Sequence, residues 1–505
     1  MRNFLRKNII EILIFCLLII GFLLRINGLS KNYSFWTDEA STARFARGIL
    51  ETGFPQIPYT GYKENSYFIT HYLTALSFLI FGVNEFSGRL PEIIFGSILI
   101  LITYIFGEKV FNKLVGLGGA TLTTFSYIQI AWSRQARGYV ILEVFYLLAL
   151  LNFYLFVKEK RKLNLFLFLI FAFISVWVHT LGLIIFLFGF IYILFRKDIL
   201  SFLIKNKFFI LLLLGVILLL FFGTNFFPVF KVVFRDKILN LNINKNFLFY
   251  YHSLFWRQYS LISFLSLLGL IILWFKNEKK LFHFLLVFII IYLFSISFLI
   301  GVSFEKYALN LFPIFFILTS FTLWEISRII GKKQKTAEVL FIFLILFIVI
   351  NGNKFSLKPK SFYTLNFDMR EIPEIDYKGI YKLIKEKSGE KINEVALVDI
   401  SHDIPAWYLG EGKNLFIPRN DVSLEKKINE NSGGIFIHNL DEFKELLRRY
   451  PQGFVVIIEH NFRFYPAGLV DYVRKNLDFE KKEEVAWFSL DWNKWPIELY
   501  SWGFK

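Results

Sequence analysis

The sequence predicts an all-α polytopic membrane domain of about eleven spanning helices, followed by a soluble α/β domain. Three observations lead there. Charge-free apolar runs, each near the roughly 20 residues that cross a bilayer, recur through the first two thirds of the chain. Of its 505 residues, 55% are hydrophobic and 20% aromatic, and the mean hydropathy is +0.52, which leaves too little polar surface for a soluble protein. After Asn351 the composition becomes mixed and charged. The division expected is therefore 1–351 in the membrane and 352–505 outside it.

The spans expected are 8–24, 90–107, 114–131, 139–157, 163–178, 181–195, 208–227, 261–275, 281–300, 308–329 and 338–351. A formal net charge of +17 would suit nucleic acid, but the basic residues lie in short clusters between apolar runs. That pattern belongs to cytoplasmic loops, and nucleic acid is excluded as a partner. Cys16 is the only cysteine, so disulfides and thiolate metal sites are excluded. The basic N-terminus before residue 8 is followed by no small-residue cleavage site, so the first run is read as a spanning helix.

Tyr67 to Phe81 is ambiguous, being of marginal length and containing Thr70, His71, Thr74 and Ser77. If it crosses, Lys158–Lys162, Arg196-Lys197, Lys276–Lys280 and Lys332-Lys333 all face outward. If it lies flat in the interface, all of them face the cytoplasm with the basic N-terminus. The flat reading is adopted. It puts the N-terminus inside, the C-terminus outside, and one large outer loop between Arg25 and Arg89.

In the last third, strand-like runs at 395–400, 434–438, 454–459 and 485–490 alternate with amphipathic helices at 440–450 and 468–477. No glycine-rich phosphate loop occurs there. This region is assigned an accessory role.

The outer loop carries the chemistry. A helix is expected from Thr37, as N-cap, to a stop at Gly53, with Asp38 and Glu39 in its first turn and Trp36 as an aromatic anchor. The plain alternative is that both carboxylates only complement the helix dipole. Farther on stand Lys63 and Glu64, then Phe81-Gly82-Val83-Asn84-Glu85-Phe86-Ser87-Gly88-Arg89-Leu90-Pro91.

Trp-x-Asp-Glu after the first span, followed by Phe-Gly-x-Asn-Glu-Phe-x-x-Arg-Leu-Pro, resembles the C-type glycosyltransferases. The nearest branches are the bacterial aminoarabinose and mannosyl transferases related to protein O-mannosyltransferases. The resemblance covers about the first 200 residues closely and the rest by architecture. It implies interfacial helices in this loop, a sugar donor linked through phosphate to a polyprenol, an extracytoplasmic acceptor (lipid, glycan or protein) and membrane lipids as partners. The catalytic pair is then Asp38 and Glu39, with the family's base on Asp38. Single displacement at the anomeric carbon implies inversion. No Asp-x-Asp motif marks a nucleotide-sugar site.

Residues for the donor phosphate come from other outer loops. Arg134 and Arg137 lie in Ser133-Arg134-Gln135-Ala136-Arg137-Gly138-Tyr139, where they either bind phosphate or snorkel to lipid headgroups. Lys306 and Tyr307 resemble the family's basic-Tyr motif, and Arg257 and Lys63 match its phosphate-binding residues more loosely. Relatives carry an Asp where Tyr139 stands, so a divalent metal ion stays an open question, with Glu64 and His252 as weak ligands. His179 reads as a structural histidine at a helix end, and Arg25 as an interfacial anchor. A transporter or lipid-linked glycan flippase is the competing class. No internal repeat supports it, and the ionisable residues gather at the outer rim instead of mid-membrane.

Overall fold

Helices occupy nearly every apolar run. The computed structural model describes residues 8–29, 34–64, 67–205, 246–301, 303–359, 377–458, 463–483 and 497–504. The expected span 208–227 and the expected strand 485–490 fall outside these residues. In order, the membrane-type helices are α1 (Ile9–Ile26), α4 (Glu85–Val110), α5 (Lys113–Phe125), α6 (Tyr127–Trp132) and α7 (Tyr139–Glu159). They continue as α8 (Lys162–Val178), α9 (Leu183–Leu194), α10 (Lys197–Lys205), α11 (Ser260–Phe275), α12 (Lys279–Phe294), α13 (Phe312–Gly331) and α14 (Gln334–Asn351). Helices α2 (Thr37–Thr52) and α3 (Phe68–Phe81) form the first loop. Among the described residues, six helical stretches are long and apolar enough to cross a membrane. A seventh counts if Leu248–Gln258, a π-helix, and α11 form one span across their 100° bend.

These residues belong to two compact units that do not divide linearly at Asn351. One comprises Met1–Leu29, Asn65–Thr70 and Leu90–Leu365. The other comprises Ser30–Glu64, His71–Arg89 and Asn366–Lys505, so most of the first loop folds with the C-terminal residues.

In the helical unit, α4 and α5 cross where both present glycine. A Cβ on Gly107 would stand 2.6 Å from the Gly116 Cα, so the backbones touch, as membrane helices do through small residues. Pro313 occupies the first turn of α13, where its missing N–H costs nothing. Pro91 lies inside α4 and cannot donate to the Ser87 carbonyl. The Ser77 hydroxyl donates to that carbonyl instead, at 2.7 Å.

The C-terminal residues build the expected α/β domain. Its elements are α15 (Tyr377–Ser388), β1 (Ala396–Asp399), α16 (Asp403–Leu409), β2 (Asn414–Pro418), β3 (Ile435–Ile437) and α17 (Leu440–Arg449). Then come β4 (Gly453–Ile458), α18 (Leu469–Asn476), β5 (Asp478–Glu483) and β6 (Ile497–Trp502). The sheet order is β3-β2-β1-β4-β6-β5. β1 runs parallel to both β2 and β4, while β6 is antiparallel to β4. β4 and β6 are buried along their whole length, as central strands covered on both faces must be.

Candidate active site

Sequence-predicted site residues fall into two groups, one in each unit. In the unit that holds the first loop, α2 begins at Thr37 itself. Trp36 is the N-cap residue in extended conformation, with no side-chain cap bond, so the expected Thr37 cap is displaced by one residue. Gly53 ends the helix with φ +79, in the left-handed region that only glycine enters cheaply.

The two first-turn carboxylates have different surroundings. Asp38 is half-buried. Glu39 is 1% exposed and clasped by Arg89, whose Nε and Nη2 donate to Oε1 and Oε2 at 2.7 and 2.6 Å. Arg89 also lies over the Phe35 ring. Trp-x-Asp-Glu and Arg-Leu-Pro, about fifty residues apart in sequence, are thus the two halves of one buried bidentate ion pair.

The C-terminal domain grips the same helix. The Arg44 guanidinium donates to Asp403 Oδ1, to both Glu411 carboxylate oxygens at 2.7 and 2.8 Å, and to Asn431 Oδ1 at 3.0 Å. Burial works against this charge, but Asp403 and Glu411 beside it hold its pKa above the usual arginine value. Arg47 lies over Trp407, whose ring also packs on Phe35 and stacks on Phe78. The Tyr408 hydroxyl accepts from the Phe35 N–H at 2.8 Å and donates to Glu85 at 3.0 Å. In open parallel sheets the crevice beyond the carboxyl ends of the strands, where the strand order reverses, is the usual ligand position. Here α16 starts just after β1 and spends its first residue, Asp403, on Arg44. Lys63 is exposed, its backbone bridged to Gln56, and Glu64 is half-buried.

In the helical unit, three of the expected phosphate residues come together around one ring. Tyr139 opens α7 and packs against Trp132, His179 and Tyr307. The Lys306 amine is buried, 4.4 Å from the Phe304 ring centroid, 5.6 Å from that of Tyr139 and 5.8 Å from those of Trp132 and Tyr307. The Arg137 guanidinium lies over Tyr67 and Tyr139 at 5.3 and 5.8 Å. Arg137 and Arg134 are 8% and 2% exposed, so neither snorkels to headgroups.

Arg134 does a different job. Its Nη1 donates to the Arg25 and Asn27 carbonyls at 2.7 and 2.8 Å, satisfying orphan acceptors at the end of α1. Arg25 is not an interfacial anchor. It lies inside α1, fully buried, and donates to Ser133 Oγ at 3.0 Å and to the Gly21 carbonyl at 3.0 Å. His179 Nδ1 accepts from the Leu181 N–H at 3.0 Å, at the end of α8. Arg257 and His252 are exposed on the π-helix.

Two buried carboxylates escaped the sequence reading. Glu92 Oε1 accepts from the Gly138 N–H at 2.6 Å, at the N-terminus of α7. A carboxylate therefore stands by the start of Tyr139's helix although position 139 has none. Gly138 is required there, with φ +71 and no room for a Cβ beside Thr70 Oγ1. Glu143 accepts from Gln129 Nε2 at 2.5 Å. Lone carboxylates within apolar runs were the available signal, since such residues are costly in a membrane. Among the described residues no three His, Cys, Asp or Glu side chains converge on a metal position.

Residues 67–225 match the sequence family described as dolichyl-phosphate-mannose-protein mannosyltransferase. Among solved structures, ArnT from Cupriavidus metallidurans in the apo state is similar at 11% identity and TM-score 0.60, covering 98% of each chain. The same protein bound to undecaprenyl phosphate is similar at 12% identity and TM-score 0.54, covering 97% of this chain and 98% of that one. The apo oligosaccharyltransferase of Archaeoglobus fulgidus is similar at 14% identity and TM-score 0.57, covering 97% of this chain and 76% of that one. No curated protein matches significantly in sequence. The chain therefore shares its fold with these membrane proteins, and residues 67–225 carry the sequence match to the mannosyltransferase family.

Proposed function

We propose that the chain moves a sugar, with inversion, from a polyprenyl-phosphate donor to a hydroxyl-bearing acceptor outside the cytoplasm, with Asp38 as the general base. The observation that carries this is the unequal fate of the paired carboxylates. Glu39 is consumed by Arg89 and holds the helix in place, whereas Asp38, one residue earlier, keeps part of its surface open. Asp38 takes the proton of the acceptor hydroxyl as its oxygen attacks the anomeric carbon. The bond to the phosphate oxygen breaks, and negative charge builds on the lipid phosphate. Lys306, Arg137 and the Tyr307 hydroxyl are assigned to that phosphate, because pre-placed cations and donors away from bulk water act most strongly on developing charge. Arg134 is assigned to helix capping, and Glu39 to positioning. Arg257 and Lys63, both exposed, are proposed as secondary contacts to the carrier.

The proposed topology follows from parity. The first loop and the C-terminal domain share one compact unit, which supports a place on the same side of the membrane, with an even number of crossings between them. Ten expected spans follow the loop if α3 lies flat, the one at 208–227 included. A crossing α3 would make the number odd. This supports an outer loop, an outer C-terminus and an inner N-terminus.

The test supplies membranes containing the full chain with a panel of radiolabelled polyprenyl-phosphate sugars. Transfer is expected from one of them, and Asp38→Asn should abolish it while the protein still inserts and folds. Were no donor consumed while a substrate crossed the membrane independently of Asp38, the transporter reading would replace this one.

A further inference from the structure

Four turns of the helical unit enclose a pocket of about 530 Å³. They are Val110–Asn112 at the α4–α5 turn, Lys158–Lys160 at the end of α7, Arg196–Asp198 at the start of α10, and Lys276–Lys280 at the α11–α12 turn. They hold three of the basic clusters that the positive-inside bias assigns to the cytoplasmic face. We propose that this pocket binds the phosphate headgroup of an anionic glycerophospholipid. It is separate from the residues assigned to transfer.

The lining carries Lys158, Lys160, Arg196, Lys276 and Lys280 against Asp198, Glu278 and Glu325, an excess of two positive charges. Arg196 forks onto Asp198 at 2.9 and 3.1 Å, and Lys276 meets Glu325 at 2.7 Å. These pairs brace the walls. Lys158, whose ammonium lies over the Tyr154 ring at 5.8 Å, and Lys280 also line the pocket and form no ion pair among the described residues, so two exposed ammonium groups can meet an anion. The inner walls are apolar, with Leu273, Phe284 and Phe321 among them. Phe195 and Phe275, each next in sequence to a lining cation, are 83% and 78% exposed. Bare aromatic rings beside cations at helix ends belong at the boundary between headgroups and acyl chains. A soluble anion would use the lysines but not these rings. A lipid uses both, its phosphate between the ammonium groups and its chains along the exposed rings.

The experiment uses the full chain purified in detergent, with native mass spectrometry to read retained lipid after exchange into phosphatidylglycerol or phosphatidylcholine. Phosphatidylglycerol should be retained preferentially. One lysine near an anionic lipid is worth roughly fivefold, so Lys158→Gln with Lys280→Gln should weaken retention about 30-fold. Lys335→Gln, which removes an exposed charge outside the pocket, should leave retention unchanged. The proposal is overturned if phosphatidylcholine is held equally well, or if the double variant retains phosphatidylglycerol like the parent. It is also overturned if inorganic phosphate protects the chain from heating as strongly as phosphatidylglycerol does, since the site then binds soluble anions.

Discussion

Replacing Arg44 by Met asks whether the C-terminal domain holds the helix that carries Asp38. The Arg44 side chain is 0% exposed, against 6% for Asp403 and 18% for Glu411. Without the guanidinium, both carboxylates remain where they are and lose their shared cation. Removing one partner of a buried pair costs about 3–5 kcal/mol. Total stabilities are roughly 5–15 kcal/mol, so this is a large fraction of what keeps the unit closed. At tenfold per ~1.4 kcal/mol, the lower figure raises the open population about a hundredfold. Hydrogen exchange on the full chain should show that acceleration in the amides of α2 and α16, with α7 unchanged. Adding Asp403→Asn should recover part of the loss, giving a coupling of about 0.5–3 kcal/mol in a double-mutant cycle. Transfer should fall with it, because Asp38 sits on the loosened helix. Wild-type protection of α2 in the Arg44→Met chain would refute the reasoning, since the clamp would then hold nothing.

Other substitutions separate chemistry from structure. Glu39→Gln leaves Arg89 buried beside a neutral amide and should lower stability by about 3–5 kcal/mol, whereas Asp38→Asn should abolish transfer in a chain that still inserts and folds. Lys306→Gln should reduce kcat/KM with the lipid-linked donor about 10²–10³-fold in a correctly folded chain, the range for losing one donor to developing charge. Asp399, at the end of β1, gives a pH dependence. Burial pushes its carboxyl up to about 7, although the Tyr381 hydroxyl and the Ser401 N–H both donate to it. The folded state therefore holds this proton more tightly than the unfolded chain does. Its contribution is most favourable below pH 4 and is lost as pH rises through 7, by on the order of 4 kcal/mol at 1.36 kcal/mol per unit. Denaturant melts of Asp399→Asn and the parent chain across that window should converge at low pH and diverge at high pH. Parallel curves would show that the group titrates normally.

Much of the architecture was legible because the bilayer imposes a length and a polarity that a single sequence displays directly. Apolar runs located the helices, and Gly53 marked the end of α2. In the last third, β1, β3 and β4 could be read as short apolar runs, and α17 and α18 from their helical period. β2, β5 and β6 could not. β5 reads as a charged, exposed edge.

Arg134, Arg137 and Lys306 all read as cations near a membrane, and sequence offers no way to rank them. Packing separates them. Arg134 meets the carbonyls at the end of α1, whereas Arg137 and Lys306 meet the ring of Tyr139. Arg25 looked like an anchor because it closes an apolar run, yet its partners lie about a hundred residues away, at Thr123 and Ser133.

Local pattern by itself determined where the chain can enter a membrane and which loop bears the paired carboxylates, since both are properties of neighbouring residues. Only tertiary structure decided that Glu39 belongs to Arg89, that Arg44 binds the first loop to residues beyond 400, and that two cations share one aromatic ring. Those partners are set by close approach of distant segments, and a burial or pairing energy exists only once that approach has been made.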